Sequence, residues 1–567
     1  QQTDVRDGYA LVLDCESGAL AEQLARQTDL SICAVFDDEA KAIASRASYA
    51  KASLHGTRIT VFHQPPGTRL PFPSYYADLI VSEAAVKGTL PSKKTIEDLS
   101  RILKPIRGIA LIGGGKTTAD ALGTWNAATQ QQGWTIVKSG NGVWSRRVRP
   151  QLAQSGSWTH QLGDSGNTGS SDDGALKGPL GVLWYGPPVL RYGNNSMPAR
   201  LAHGLMLLPV HNGIIACDQY SGRKLWYYPC PENSQFFIAD RTIYLRREIL
   251  KDDRPTGKAL WERITLETGK KIDGVVLPRM MEQGTISQMA ASRDGKIVYG
   301  HVQWQQTIKQ GDEEIKKDFR CLFAEDSTSG KRLWTIGGVG QQRQWDSWVA
   351  ISDGRLYCSI PVTDAHREKA LTEMKACLQQ HSPERFKAFD SSKRSIQAMA
   401  ALEGATGKIL YETGIDTTNV FLYSGRRGVH YNPSIIPFTM ASDNTVVFAT
   451  QSGADKGWRQ WPNGAYKPRT LTVYAGDTGK LLWSKHADYR TRPVIANGTI
   501  YAEPWGYDIQ TGERRQRTHP VTGRKADWAW CRYGKQCGQF SASRHFLFGR
   551  STGVAYHDLL NDDGLYT

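Results

Sequence analysis

The sequence predicts an α/β domain followed by an all-β propeller, and three observations carry that prediction. Residues 8–148 alternate continuous apolar runs with helical stretches, the pattern of a parallel sheet covered by helices. The rest of the chain repeats a short unit, Ser/Thr-Gly-Lys/Arg-x-Leu-Trp/Tyr, at the spacing of a supersecondary repeat. Composition agrees, since 56 Gly and 17 Trp among 567 residues suit a turn-rich, repeat-built β protein. That length exceeds one ordinary core, and no run approaches the roughly 18 apolar residues of a membrane span.

The α/β part reads in order as strand Tyr9–Asp14, helix Ala19–Gln27, strand Leu30–Phe36 ending in Asp37-Asp38, helix Lys41–Ala50 and strand Ile59–His63. Strand Asp78–Ser82, helix Thr95–Leu103 and strand Gly108–Ile112 follow. A strand, a glycine turn, a helix and a second strand ending in an acid form the layout of a nucleotide-binding unit. The run Gly113-Gly114-Gly115-Lys116 lacks P-loop spacing and reads as a turn.

The phrases Leu11-Val12-Leu13-Asp14-Cys15-Glu16-Ser17-Gly18, Val35-Phe36-Asp37-Asp38, Leu70-Pro71-Phe72-Pro73 through Asp78-Leu79-Ile80, and Leu99-Ser100-Arg101-Ile102-Leu103-Lys104-Pro105 resemble a class I S-adenosylmethionine-dependent methyltransferase domain. The resemblance implies that Asp14 and Gly18 belong to the cofactor loop, that Asp37 or Asp38 accepts from the ribose hydroxyls, and that His63 lies near the adenine. The family loop is Asp/Glu-x-Gly-x-Gly-x-Gly, whereas here Glu16 stands at the first glycine position and Leu20 at the third. Those glycines let the backbone approach the ligand, so a carboxylate and an isobutyl group obstruct it. The domain therefore reads as a degenerate relic of the fold, with a working methyltransferase as the alternative.

Residues 151–180 shift to Ser, Gly, Asn and Asp without a periodic apolar face. They read as a linker or an extended segment laid on the propeller, anchored by Trp158 and His160.

From residue 181 to 567 the repeat takes over. Its unit reads as a hairpin in which Asp bonds its own backbone, Gly supplies a positive-φ position, and Leu-Trp opens the next strand. Copies are Ser221–Trp226, Thr256–Trp261, Ser329–Trp334, Thr406–Tyr411 and Thr478–Trp483, with weaker echoes at Thr268-Gly269-Lys270 and Thr511-Gly512-Glu513. With hairpins at Thr499–Thr511 and His545–Asp558, seven blade centres are visible. Since about 40–50 residues make a blade, eight blades are expected with seven as the alternative. Ring closure is expected to borrow a strand near Gly181–Tyr185, and a helical insertion spans 364–394. The form Ala-x-Asp-x-x-Ser/Thr-Gly-x-x-x-Trp resembles the PQQ-like, quinoprotein-type propeller repeat.

In that family's enzymes the resemblance implies PQQ on the axis beside calcium, with an adjacent Cys-Cys disulfide and an Asp base. This chain has no Cys-Cys pair and no recognisable calcium set, so a dehydrogenase is the third reading. No metal site is expected. Its nine cysteines form no Cys-x-x-Cys.

The net charge of +15 is spread along the chain, with 18 Lys+Arg against 14 Asp+Glu up to Pro150 and 52 against 41 beyond it. No RNP-type strand or zinc knuckle accompanies it, so a basic solvated surface is preferred to a nucleic-acid site. Loops rich in aromatic and cationic residues nominate Arg191, Trp345, Trp348, Arg426, Arg427 and Trp458 as ligand contacts, for a protein or glycan partner at one propeller face.

The reading is thus a non-catalytic binding or scaffold protein for which no cofactor is expected. The first alternative is an active methyltransferase whose propeller recruits substrate. A start at Gln1 favours an exported, periplasmic or cell-envelope location; use of S-adenosylmethionine requires the cytoplasm.

Overall fold

The computed structural model describes residues 3–65, 67–129, 133–186, 199–231, 234–251, 254–275, 284–311, 313–338, 345, 348–418, 422–424, 428–430, 439–449, 451–452, 469–487, 489, 491–519, 521–531, 540–550 and 554–566. The first unit contains β1 (Asp7–Leu13), α1 (Ala19–Gln27), β2 (Asp29–Phe36), α2 (Glu39–Lys51), β3 (Ile59–His63), β4 (Leu79–Ser82), α3 (Glu83–Val86), α4 (Lys93–Ile102), β5 (Ile109–Gly114), α5 (Ala119–Ala128), β6 (Trp134–Ser139) and β7 (Gly142–Val148). Its sheet runs β3-β2-β1-β4-β5-β7-β6, with β7 antiparallel to β5. This is a Rossmann-like mixed sheet. Both faces of the central strands are buried: Ala10, Val12, Ile32 and Ala34 join one core and Leu11, Leu13 and Ile80 the other. Such burial is why β1, β2 and β4 read as unbroken apolar runs. Gly113 and Gly114 belong to β5 and are not a turn, and a Cβ on Gly113 would lie 2.4 Å from the Val143 carbonyl oxygen.

Seven blades follow, with inner strands Arg200–Ala202, Phe236–Ala239, Thr285–Ala291, Trp348–Ser352, Thr439–Ser442, Val494–Ala496 and Ser541–Ala542. Each of the seven sequence centres falls in one blade. The length that pointed to an eighth is taken up elsewhere: by the long hairpins Thr242–Thr265 and Ile297–Asp326, and by α6 (Asp364–His381). Helix α6 starts at Thr363, whose hydroxyl accepts from His366 N, and it packs Met374, Cys377 and Leu378 into the core shared by blades 4 and 5.

The turn chemistry is as the repeat implies. Asp218 Oδ1 accepts from Tyr220 N and Ser221 N, Asp326 Oδ1 from Ser329 N, and Asp508 Oδ1 from Gln510 N and Thr511 N. Blade 2 differs. Leu250 pairs with Pro255 and Lys251 with Arg254, so Thr256–Trp261 lies inside a strand, and the blade's turn is Thr268-Gly269-Lys270, with Gly269 at φ +66°.

Four of the five repeat aromatics reach the next blade's turn, whereas the indole of Trp261, in blade 2, donates to the Ile286 carbonyl of the inner strand of blade 3 at 3.3 Å. The indole Nε1 of Trp226 donates to the Leu266 carbonyl at 3.1 Å, that of Trp334 to Gly404 at 2.9 Å, and that of Trp483 to Ile509 at 2.9 Å. Tyr411 does the same through its hydroxyl, 3.0 Å from the Gly476 oxygen. These rings lie over the turn glycines at distances a Cβ could not share: 2.6 Å at Gly269 and 2.8 Å at Gly407. The closing strand expected near Gly181–Tyr185 does not form, and a side chain from that segment covers the turn of blade 1 instead. Blade 7 is built wholly from residues 541–566, residues 181–186 form no strand, and Trp184 covers Gly222 while its Nε1 donates to the Gln219 carbonyl at 2.9 Å.

The α/β unit docks on blade 1. Lys104, fully buried, places its Nζ 2.8 Å from Asp78 and 3.4 Å from Asp218 of the blade's turn. Around this pair, Arg223 meets Asp7 at 2.5 Å and the rings of Tyr75 and Tyr220 lie 5.4 Å apart.

Candidate functional site

The first candidate is the loop between β1 and α1, at the carboxyl end of the sheet where doubly wound folds bind ligands. Asp14 leaves β1 at φ +50°, and its carboxylate accepts from the Ser82 hydroxyl at 2.7 Å. Burial raises the Asp14 pKa, Ser82 opposes the rise, and the nearby charge of Asp37 adds to it. Asp14 and Asp37 thus come together at the ends of β1 and β2. His63, half-buried, ends β3 opposite Phe36. Asp38 instead caps α2, its side chain accepting from Lys41 N at 2.9 Å.

The centre of this site is a residue that the sequence reading missed. Glu83, only 4% exposed, accepts from Glu16 N at 2.8 Å, Gly18 N at 3.0 Å, Leu20 N at 3.4 Å and the Ser17 hydroxyl at 2.8 Å. The free N–H groups at a helix start form an anion site. Here the protein's own carboxylate fills it. Burial pushes the Glu83 pKa up, but the hydrogen bonds from Ser17, Gly18, Glu16 and Leu20 outweigh it and hold the group below the usual glutamate value. From the other side the Tyr49 hydroxyl donates to the Gly18 carbonyl at 2.7 Å, and a Cβ on Gly18 would lie 2.0 Å from that hydroxyl oxygen. Glu16 forms a 2.5 Å ion pair with Lys87. An acid directly after a buried parallel strand, in Ser82-Glu83, was the sequence signal available.

The second candidate is the propeller axis. Residues 158–171 run round it in blade order. Trp158 exchanges backbone hydrogen bonds with Leu201 of blade 1, the Thr159 carbonyl accepts from Ile238 N of blade 2, and His160 Nε2 accepts from Ala291 N of blade 3. The carbonyls of Ser165, Gly166 and Thr168 then accept from Ile351 N, Ala441 N and Ile495 N of blades 4, 5 and 6, and Ser171 N donates to the Ala542 carbonyl of blade 7. The hub closes on itself where Ser157 N donates to the Ser171 carbonyl at 3.1 Å. Its glycines are needed for close backbone approach, since a Cβ on Gly166 would lie 2.3 Å from the Ala441 oxygen. Burial, with the Arg200 charge second, lowers the His160 pKa to about 3, so this imidazole is a neutral acceptor. Trp158 and His160 are therefore structural anchors.

At one mouth of the hub, the turns after the inner strands of blades 1, 2, 3 and 7 surround a polar cavity of about 320 Å³. Asp172 stands in its wall, held by Arg544 Nε and Nη2 at 2.8 and 3.0 Å and by Arg293 Nη2 at 2.9 Å.

Of the nominated ligand contacts, Arg191, Arg426, Arg427 and Trp458 lie outside the described residues, as does the side chain of Trp348. Trp345 is 4% exposed in the core between blades 3 and 4, and its carbonyl lies 3.0 Å from His301 Nε2. Among the described residues no group of three or more His, Cys, Asp or Glu could hold a metal, and no helix is long and apolar enough to cross a membrane.

No family model and no curated protein matches the chain. Among solved structures it is similar to a protein assigned as an S-adenosyl-L-methionine-dependent methyltransferase from Methanococcus maripaludis, at 22% identity and TM-score 0.22 over 27% of this chain and 81% of that one. A SAM-dependent methyltransferase from Aquifex aeolicus matches at 16% identity and TM-score 0.21, over 25% and 82%. The precorrin-6y C5,15-methyltransferase of Geobacter metallireducens matches at 13% identity and TM-score 0.20, over 26% and 82%.

Proposed function

We propose that this chain is a non-catalytic binding protein in which a retired methyltransferase-like domain is docked on a propeller that serves as the interaction platform. The observation that carries the reading is the Glu83 carboxylate on the N–H groups of Glu16, Gly18 and Leu20. A ligand reaching this loop would have to displace a buried, hydrogen-bonded anion and pass the Glu16–Lys87 pair. The residues present do not fit S-adenosylmethionine at that loop.

On the propeller, the hub of residues 158–171 stands on the axis where quinoprotein enzymes of the resembling family hold their cofactor, which disfavours the dehydrogenase reading. Partner recognition is assigned instead to the polar mouth around Asp172, Arg293 and Arg544, with a protein or glycan as the partner. An exported, envelope-associated location fits this reading, because S-adenosylmethionine is a cytoplasmic metabolite.

Calorimetric titration of S-adenosylmethionine and S-adenosylhomocysteine into the protein tests the first half. No heat from the unaltered chain is expected. Micromolar binding would overturn the reading and establish the domain as a working cofactor site.

A further inference from the structure

Blade 6 differs from the other six at its outer edge. The chain bridges Tyr507 at Arg514 and Trp505 at Ala529, the two ends of an outer strand. Between these bridges it leaves the blade as a separate two-stranded hairpin, Gln516–Thr518 against Lys525–Asp527. Trp528 then returns to the core, and its indole donates to Asp562 of blade 7 at 3.0 Å. The excursion is an insertion into a blade strand, and the blade's own packing does not require it.

Every described residue from Gln516 to Asp527 is exposed. A ladder of three residue pairs gains little from burial, and this one is shaped by local bonds. Asp527 takes Arg514 at 2.9 Å and the Gln516 amide at 2.5 Å, and His519 Nδ1 accepts from Val521 N and Thr522 N, each at 3.2 Å. Gly523 completes the turn at φ +66°.

What the hairpin presents is charge around an apolar apex. Residues 514–527 hold Arg514, Arg515, Arg517, Arg524 and Lys525 against the single carboxylate Asp527. Arg524 and Lys525 form no ion pair among the described residues, and Val521, between His519 and Arg524, is 86% exposed. Cations flanking an exposed apolar tip suit a surface that is anionic outside and apolar just beneath. A nucleic acid offers nothing to Val521, and the hairpin has no Phe, Tyr or Trp on which a base could stack.

We propose that the hairpin 514–527 docks the protein on an anionic lipid surface, with Arg524 and Lys525 at the headgroups and Val521 in the interface, while Arg517 pairs with Asp562 of blade 7 at 3.4 Å. This proposal stands independently of the α/β domain's status.

The test is co-sedimentation of the full chain with vesicles of phosphatidylcholine alone and with about one third phosphatidylglycerol. Binding only to the anionic vesicles, weakening as salt is raised, is expected. Substituting Arg524→Gln and Lys525→Gln together should lower the partition about thirtyfold, at about 1 kcal/mol per cation. Val521→Ala, which removes two carbons from the apex, should lower it by up to about fifteenfold. Circular dichroism of both variants should match the parent. Equal binding to both vesicles, or binding unchanged in the double variant, overturns the proposal. So does binding to a single-stranded oligonucleotide of equal strength that Val521→Ala leaves unaltered, which would reassign the hairpin to nucleic acid.

Discussion

Glu83 stands to Gly18 as a bound anion stands to its binding loop: Oε2 lies 3.0 Å from Gly18 N and 2.8 Å from Glu16 N, with the Ser17 hydroxyl on the other oxygen. The anion site of this fold is thereby satisfied from within the chain.

Removing the carboxylate leaves its buried donors without an acceptor. Glu83→Ala should therefore lower the unfolding free energy by about 2–4 kcal/mol, measured by denaturant titration. Glu83→Gln, which keeps one carbonyl acceptor, should cost less. If neither variant loses stability, the contacts carry no net energy and the loop is open to other occupants.

Glu83 also sets an acid limit. Its pKa in the fold lies below the ordinary 4.5, so its contribution is present above that value and is lost as pH falls below it. The stability of Glu83→Gln should fall less steeply than that of the parent below pH 4.5.

His160 acts in a neighbouring window. The unfolded imidazole takes its proton near 6.5 and the folded one near 3, so protonation favours unfolding. Stability should be full above 6.5 and decline towards 3, by at most about 1.4 kcal/mol per pH unit from this group. Urea midpoints of the parent and His160→Gln across that range would show it, with the variant flatter.

Lys104→Met leaves Asp78 and Asp218 facing each other without their shared cation. A loss of about 3–5 kcal/mol is expected. Calorimetry should then resolve separate transitions for the α/β unit and the propeller, where a single joined transition is expected of the parent.

Gly166→Val should destabilise the ring by about 2–4 kcal/mol, because its side chain meets the Ala441 carbonyl. Gly181→Val, at a glycine with no neighbour within 4 Å of its would-be Cβ, controls for the backbone effect of replacing a glycine and should leave stability nearly unchanged.

Much of the fold was legible because its signals are local. Strands β1, β2 and β4 are buried on both faces and read as apolar runs, and the Asp-to-Gly turns announce the blades. Strands β6 and β7 were not legible, because their burial is partial and shows no clean alternation. The register of blade 2 misled because Thr256-Gly257 has the composition of a turn while its pairing with the preceding strand places it in a ladder. Asp14, Asp37 and His63, which lie at the ends of β1, β2 and β3, were nominated through the methyltransferase resemblance. Glu83 was not, since its role arises only when the end of β4 is brought beside the first loop. The hub was legible only as one of two alternatives, a linker or an extended segment laid on the propeller: Ser, Gly and Asn without periodicity describe both equally well until seven distant strands supply the partners.

That hub precedes every blade in the chain. During synthesis residues 158–171 emerge before the first inner strand, so each strand that follows finds its hydrogen-bond partner already made. Arrival in order, from Leu201 to Ala542, places the blades in sequence around a template, and the ring need not wait for its last blade to define its centre. A circular permutation that moved this segment behind blade 7 would keep every contact of the finished protein and remove the template from its assembly.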